Sequence, residues 1–429
     1  MRKVLLVGII WPYHRGGARV HGLAKYLPDA GWEPIVLTQP LPSDVNLPYR
    51  VETVGGGRVG EHLALGLGLG GREGPRRRLA SRLHVSSENP VLTWSFKRAR
   101  EVLEYPDGAR AWRGAALQRA LELVRDEHFD AVISTSPPVS THLIAAELKR
   151  QYGLTWVADF PHLWSQDHGV PYGRVRRWFD RRLEVRTLSG VDVLTTTNPG
   201  HAALFARIHG EGRVRAIPHG FDPDTWNDPP SPLASRFTLT YTGGLSRGVR
   251  EPEMLLRALA ALVNEGMLSV RTAEVRFYGQ RQDWVQEQID ACGLAELVRQ
   301  LGRVPQADAF ERQRESHLLL NFKCEPGTGE GILSSKVYEY LAARRPILSV
   351  GAGDDVADEL IDRTGAGLVV RDLDTLIAAL RDSYREYLAS GTVRWRGDAA
   401  LVSKYSQREM AGQFARLLTS SASSPEDHS

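Results

Sequence analysis

Four stretches of the 429-residue sequence combine glycine, cation, carboxylate or histidine at spacings that could hold a ligand. Gly16-Gly17 follows the apolar run Val4 to Ile10. A glycine turn opening a helix brings backbone N–H groups close to an anion or polar ligand. In Asp159-Phe160-Pro161-His162-Leu163-Trp164, His162 could exchange a proton with a substrate hydroxyl near neutral pH. Asp159 could hold that imidazole or bind a hydroxyl itself. Between Tyr241 and Arg250, Gly243 and Gly244 precede Arg247 and Arg250, whose guanidinium donors suit phosphate oxygens. In the stretch Gly329 to Tyr340, Ser334 or Ser335 can cap a helix. Lys336 then falls in its first turn, with Glu339 three residues on and so on the same face. A cation beside the positive end of a helix makes sense if an anion binds there. One ligand could offer phosphate to Lys336 and ribose hydroxyls to Glu339. The plainer readings are an ordinary βα turn, a structural histidine, a solvated loop, and a surface ion pair worth about 0.3 kcal/mol.

Other chemistries fit less well. No glycine spacing matches the dinucleotide fingerprint and no P-loop is present, which disfavours a nicotinamide enzyme or a P-loop NTPase. The net charge of +3 gives no strong field for nucleic acid, no nucleic-acid fold motif is seen, and no such partner is expected. Local basic clusters do exist, at Arg76-Arg77-Arg78 and from Arg174 to Arg182 around Trp178 and Phe179. An anionic membrane surface or a lipid-diphosphate acceptor would suit them. The preferred reading of the second cluster is a solvated helix face with Trp178 in the core. Asp222-Pro223-Asp224 reads as turn chemistry, and neither a metal nor another cofactor is expected. Cys292 and Cys324 make no disulfide framework, so a reduced, cytoplasmic setting fits, peripheral membrane contact included. The apolar start is too short for a signal peptide, and no run reaches the ~20 residues of a membrane span.

The elements that position these residues form an α/β chain of two Rossmann-like, doubly wound halves. Predicted strands are Val4–Ile10, 33–38, 129–134, 155–160, 191–196 and 214–217, then 237–242, 274–278, 317–322, 346–350 and 367–370. Helices are expected over 18–27, 110–127, 140–152, 174–189, 252–264, 280–292, 335–343, 373–388 and about 406–418, and residues 40–110 read as irregular. The expected domains are 1–215 with a returning helix at 400–420, and 216–399, before a frayed tail at 420–429. Ligands of such sheets bind beyond the carboxyl ends of the strands, so facing domains predict one cleft.

With these residues in hand, the chain resembles family 4 of the retaining glycosyltransferases, whose fold is called GT-B. The marks are Gly16-Gly17, Phe129 to Pro138, Ile217 to Asp222, Tyr241 to Arg250, and Ser335-Lys336-Val337-Tyr338-Glu339-Tyr340 followed by Arg345 to Leu348. The resemblance implies a nucleotide-sugar donor in the second domain. Gly243, Gly244, Arg247 or Arg250, and Lys336 would hold the diphosphate, and Glu339 the ribose. Glu330, Gly331, Ile332 and Leu333 would face the sugar and phosphates, and the loop bearing Val304 the base. The acceptor, a glycan, a lipid-linked sugar or a small molecule, would meet Gly16, Gly17 and His162 in the first domain. His162, Asp159, Arg247 and Lys336 would serve catalysis, and sugar transfer would retain the anomeric configuration in polysaccharide or glycoconjugate synthesis. Two departures stand out: Glu330 is one residue off the common spacing to Glu339, and Gly244 replaces a common Arg. The competing readings are a sugar-nucleotide 2-epimerase and an inactive sugar-nucleotide-binding protein.

Overall fold

The computed structural model describes residues 1–10, 17–42, 45–56, 101–167, 172–226, 231–324, 335–353 and 356–422. It divides into two compact units, Met1–Pro218 joined by the chain from Met410 onward, and His219–Glu409.

The first unit is a parallel sheet of seven strands: β1 Arg2–Val7, β2 Trp32–Thr38, β3 Arg50–Thr53, β4 Ala131–Thr135, β5 Thr155–Phe160, β6 Val193–Thr196 and β7 Val214–Ala216. Their spatial order is β3-β2-β1-β4-β5-β6-β7. Strand β1 is apolar on both sides because both sides are covered. Leu5 and Val7 pack with Trp112, Ala116 and Ile144. Val4 and Leu6 point the other way, toward Val20, Leu23 and Phe414. Phe414 comes from the last helix, Gln407–Ala422, which also adds Met410, Ala411, Ala415 and Leu418 to this core. Their three- and four-residue spacing is one helix face, and it explains why a helix without a strand of its own returns to the first unit.

The second unit has six parallel strands: β8 Phe237–Thr242, β9 Ala273–Tyr278, β10 Val298–Gly302, β11 Leu318–Phe322, β12 Ile347–Val350 and β13 Gly367–Val370, in the order β10-β9-β8-β11-β12-β13. Both sheets reverse direction of growth once, between β1 and β4 and between β8 and β11. Such switch points are where doubly wound sheets bind ligands.

The central strands fall where the apolar runs place them, within a few residues at each end. The edges do not. Strand β3 lies in the stretch read as irregular, and β10 was not anticipated. Both carry polar residues, and an edge strand needs only one apolar face. Arg50 and Glu52 of β3 are tied to Glu127 and Arg119 at 2.6 and 2.9 Å. The helices Pro199–His209, Gln306–Arg314 and Val356–Thr364 are further additions.

Candidate functional site

In the second unit the expected phosphate-binding residues gather at the switch point. Strand β8 ends in Tyr241-Thr242, and the chain turns through Gly243. Gly243 has φ +150°, and a Cβ there would lie 3.0 Å from Lys336 Nζ and 3.2 Å from the Tyr241 hydroxyl. The backbone conformation favours glycine, and a side chain would also crowd these two groups. Gly279, at the end of β9, lets the Gly243 carbonyl pass so closely that a Cβ would stand 2.0 Å from it. Lys336 rises from the first turn of the helix Ser335–Ala343 and is 7% exposed. Its Nζ donates to the Tyr241 hydroxyl at 2.8 Å, and that hydroxyl donates to the Gly244 carbonyl at 2.9 Å. Arg250 Nε donates to the Phe322 carbonyl at the end of β11 (2.9 Å), and Nη2 to Cys324 Sγ (3.2 Å). Burial pushes the Tyr241 phenol up to about 12, opposed by neighbouring Arg250. The hydroxyl is therefore a neutral hub between two cations. Arg250 is held in place beside it, whereas Arg247 is exposed and has no hydrogen bond or ion pair among the described residues.

Glu339, one helical turn beyond Lys336, has its own buried support. Gln313 Nε2 donates to Thr242 Oγ1 at 2.9 Å and to Glu339 Oε2 at 3.3 Å. The Tyr340 hydroxyl accepts from Thr242 N at 2.9 Å. Burial pushes the Glu339 carboxyl up to about 7, and Gln313, Lys336 and Gln306 only partly offset it. The carboxyl thus sits near its ionisation point at neutral pH. The loop after β10 brings half-buried Val304 past Gly302, whose carbonyl accepts from Gly279 N at 3.0 Å. The ends of β9 and β10 are thereby tied together next to the glycine turn. Glu330, Gly331, Ile332, Leu333 and the capping Ser334 lie outside the described residues, as does Gly16.

The first unit corrects one expectation. Asp159, expected to hold His162, bind a hydroxyl or serve catalysis, sits at the end of β5 with its carboxylate already engaged elsewhere. Its side chain is 0% exposed and bonded bidentately to Arg19, Nε to Oδ2 at 2.8 Å and Nη2 to Oδ1 at 2.9 Å. Thr195 Oγ1 donates to the same Oδ1 at 2.7 Å. Arg19 spends its remaining donors on the Ile217 and Pro218 carbonyls, both at 3.0 Å, and on Met410 Sδ at 3.3 Å, and lies 5.3 Å over the Phe414 ring. The pair locks strands and terminal helix together. A buried charge is tolerated when paired and fully hydrogen-bonded in this way.

His162 is half-buried in the loop that follows β5. Buried Glu184 anchors that loop, accepting from Ser165 N at 3.0 Å and Gln166 Nε2 at 3.1 Å, with His209 Nε2 at 2.9 Å. Burial opposes the Glu184 charge, but these partners outweigh it and hold the carboxyl below the usual range. His201, on the helix Pro199–His209, has a buried Nδ1 without a hydrogen-bond partner among the described residues. Burial first, and then nearby His162, push its pKa down. Gly17 opens the helix Gly17–Tyr26. The helix start after β4 is already filled, because Asp107 accepts from Ser140 N at 2.6 Å.

Sequence reasoning assigned no role to Tyr241, Gln313, Glu184 or His201. Tyr241 stood inside the glycine motif and could have been singled out as a polar group on a buried strand. Gln313 carries no such signal, being separated from Thr242 and Glu339 by 71 and 26 residues. Asp222 Oδ1 accepts from Asp224 N at 3.0 Å, in keeping with a turn. Cys292 and Cys324 are free thiols.

A glycosyl transferase 4-like domain model matches residues 16–220, and a glycosyl transferases group 1 model matches residues 236–386. No curated protein matches the chain. Among solved structures, sucrose-phosphate synthase from Thermosynechococcus elongatus is similar at 15% identity and a TM-score of 0.62, over 98% of this chain and 99% of that one. A glycosyltransferase from Rickettsia africae is 13% identical, with a TM-score of 0.62 and 99% of each chain covered. HepE of Anabaena, solved in complex with UDP, is 14% identical with a TM-score of 0.59, over 98% of this chain and all (100%) of that one. At such identities the solved structures speak to the fold.

Proposed function

This chain belongs to the family 4-like glycosyltransferases of the GT-B fold, and from that membership we propose that it transfers a sugar from a nucleoside-diphosphate sugar to an acceptor hydroxyl with retention of configuration. The observation that carries the donor assignment is the meeting of Lys336 and Arg250 at the Tyr241 hydroxyl, at the switch point of the second sheet. Two preorganised cations beside a glycine turn suit a diphosphate. As the leaving diphosphate gains charge, Lys336 and Arg250 stabilise it electrostatically, with Arg247 free to close in from the exposed loop. No metal ion has a part in this proposal. Glu339 receives the ribose hydroxyls, and Val304 borders the base.

The acceptor, a glycan, a lipid-linked sugar or a small molecule, is assigned to the first unit, near Gly17 and His162. His162 orients the acceptor hydroxyl, and Glu184 positions the loop that carries it. Attack occurs on the face the diphosphate leaves, which preserves the anomeric configuration. The product belongs to polysaccharide or glycoconjugate synthesis in the cytoplasm.

HepE was solved with UDP, so UDP-sugars are the first donors to test. The test is incubation with an α-configured UDP-sugar and an acceptor panel, with nucleotide release and the anomeric proton coupling of the product as readouts. An α-linked product supports the reading. A β-linked product contradicts retention, and donor binding without release on any acceptor makes the chain a sugar-nucleotide-binding protein.

A further inference from the structure

The helix Arg174–Thr187 is turned inside out. Its buried residues are Arg176, Asp180, Glu184 and Thr187, spaced as one helical face. Arg176 bonds Asp180 at 2.8 Å and lies between the Tyr105 and Tyr172 rings, its guanidinium carbon 4.6 Å from each centre. Glu184 anchors the His162 loop. Arg176, Asp180 and Glu184 are therefore consumed inside the unit. Its outward stripe carries the apolar side chains, with Val175 72% exposed, Trp178 57%, Phe179 49% and Val185 44%. Trp178 is thus not a core residue, contrary to the reading preferred from sequence.

The charges on this helix are one-sided. Arg174, Arg182 and Arg186 are exposed, and Arg177 and Arg181 half-exposed. None of the five has an ion pair among the described residues, whereas both acids of the helix are buried in partnerships. Arg182 lies 5.7 Å from the Trp178 ring centre. Uncovered aromatics alone would fit several partners. Aromatics rimmed by uncompensated arginines select an anionic one. A second copy in a two-fold contact would set these arginines against each other.

We propose that this helix face docks on an anionic lipid bilayer, Trp178 and Phe179 entering the interface while the arginines meet the headgroups. Lipid phosphates supply the missing counter-charge, and the acyl boundary takes the rings. The docking is independent of donor chemistry and stands whether or not sugar transfer is found.

The experiment is sedimentation of the full chain with phosphatidylcholine vesicles, with and without phosphatidylglycerol. Wild type should pellet with the anionic vesicles only, and less at high salt. Trp178→Ser with Phe179→Ser should weaken the partition at least tenfold, and Arg182→Gln with Arg186→Gln on the order of twentyfold. All four positions are exposed, so unchanged melting temperatures confirm folding. No pelleting with anionic vesicles, equal pelleting with both lipids, or indifference to both double variants overturns the proposal. So does a dimer by light scattering that Trp178→Ser with Phe179→Ser splits while wild type ignores vesicles.

Discussion

Lys336 Nζ donates to the Tyr241 hydroxyl at 2.8 Å and stands 4.2 Å from the centre of the same ring. One side chain thus gives the ammonium both a hydrogen bond and a π face. Because the hydroxyl also donates to the Gly244 carbonyl, it couples the cation to the shape of the glycine turn. Tyr241→Phe keeps the ring and removes both bonds. It should cost about 1–2 kcal/mol of stability and raise the donor KM several-fold while kcat changes less. Denaturant melts and steady-state kinetics check this. An unchanged KM would show that Lys336 needs no such support.

The Glu339 carboxyl gives a pH signature. Its pKa is raised from 4.5 to about 7 in the folded chain, so folding favours the protonated form. The stability linked to it is complete below pH 4.5 and is lost as pH rises through about 7. Wild type should melt at a lower temperature at pH 8 than at pH 5, and Glu339→Gln should flatten that slope. Donor affinity should run the other way, rising through pH 7, because ribose hydroxyls bind the ionised form. Calorimetric titration across this range separates the two trends.

Gln313 is the arm that reaches Glu339 from the neighbouring helix. Gln313→Leu leaves Thr242 Oγ1 and Glu339 Oε2 without that donor in a buried place, at about 1–3 kcal/mol. It should also move the pH midpoint of donor binding upward, since a donor that favours the carboxylate is gone. A purely structural role for Gln313 would lower the melting temperature and leave the midpoint in place.

Asp159 and Arg19 make the opposite case. Asp159→Asn should destabilise the fold strongly, on the order of 3 kcal/mol or more, because Arg19 keeps its buried charge without its partner. Arg19→Met should do likewise. Nucleotide binding by the protein that remains folded should be unchanged. A well-folded Asp159→Asn protein that has lost only kcat would return Asp159 to the catalytic set.

How much of this was written locally in the chain differs by element. Strand β1 was legible because burial on both faces demands an unbroken apolar run, as in Val4 to Ile10. Strands β3 and β10 were not, since Arg50, Glu52, Arg299 and Gln300 look like loop residues until a neighbouring strand is placed beside them. The site divides the same way. Lys336 and Glu339 declared themselves through their i,i+3 spacing at a helix start, a purely local fact. The commitment of Asp159 to Arg19 depends on residues 140 positions apart, and no spacing rule reaches that far. Trp178 misled because aromatic residues at helical spacing usually face a core, whereas here the core side is taken by Arg176, Asp180 and Glu184.

Whether Lys336 in the second unit holds a diphosphate is decided by nucleotide-dependent melting of wild type and Lys336→Ala. UDP, GDP, ADP, CMP and dTDP are compared at equal concentration, since a ligand of the native state raises the melting temperature by mass action. One nucleoside diphosphate should shift wild type selectively, and Lys336→Ala, measured against its own ligand-free melting temperature, should lose the shift through a ten- to hundred-fold weaker affinity, roughly the worth of a charge-assisted hydrogen bond. An equal shift in both proteins would contradict it.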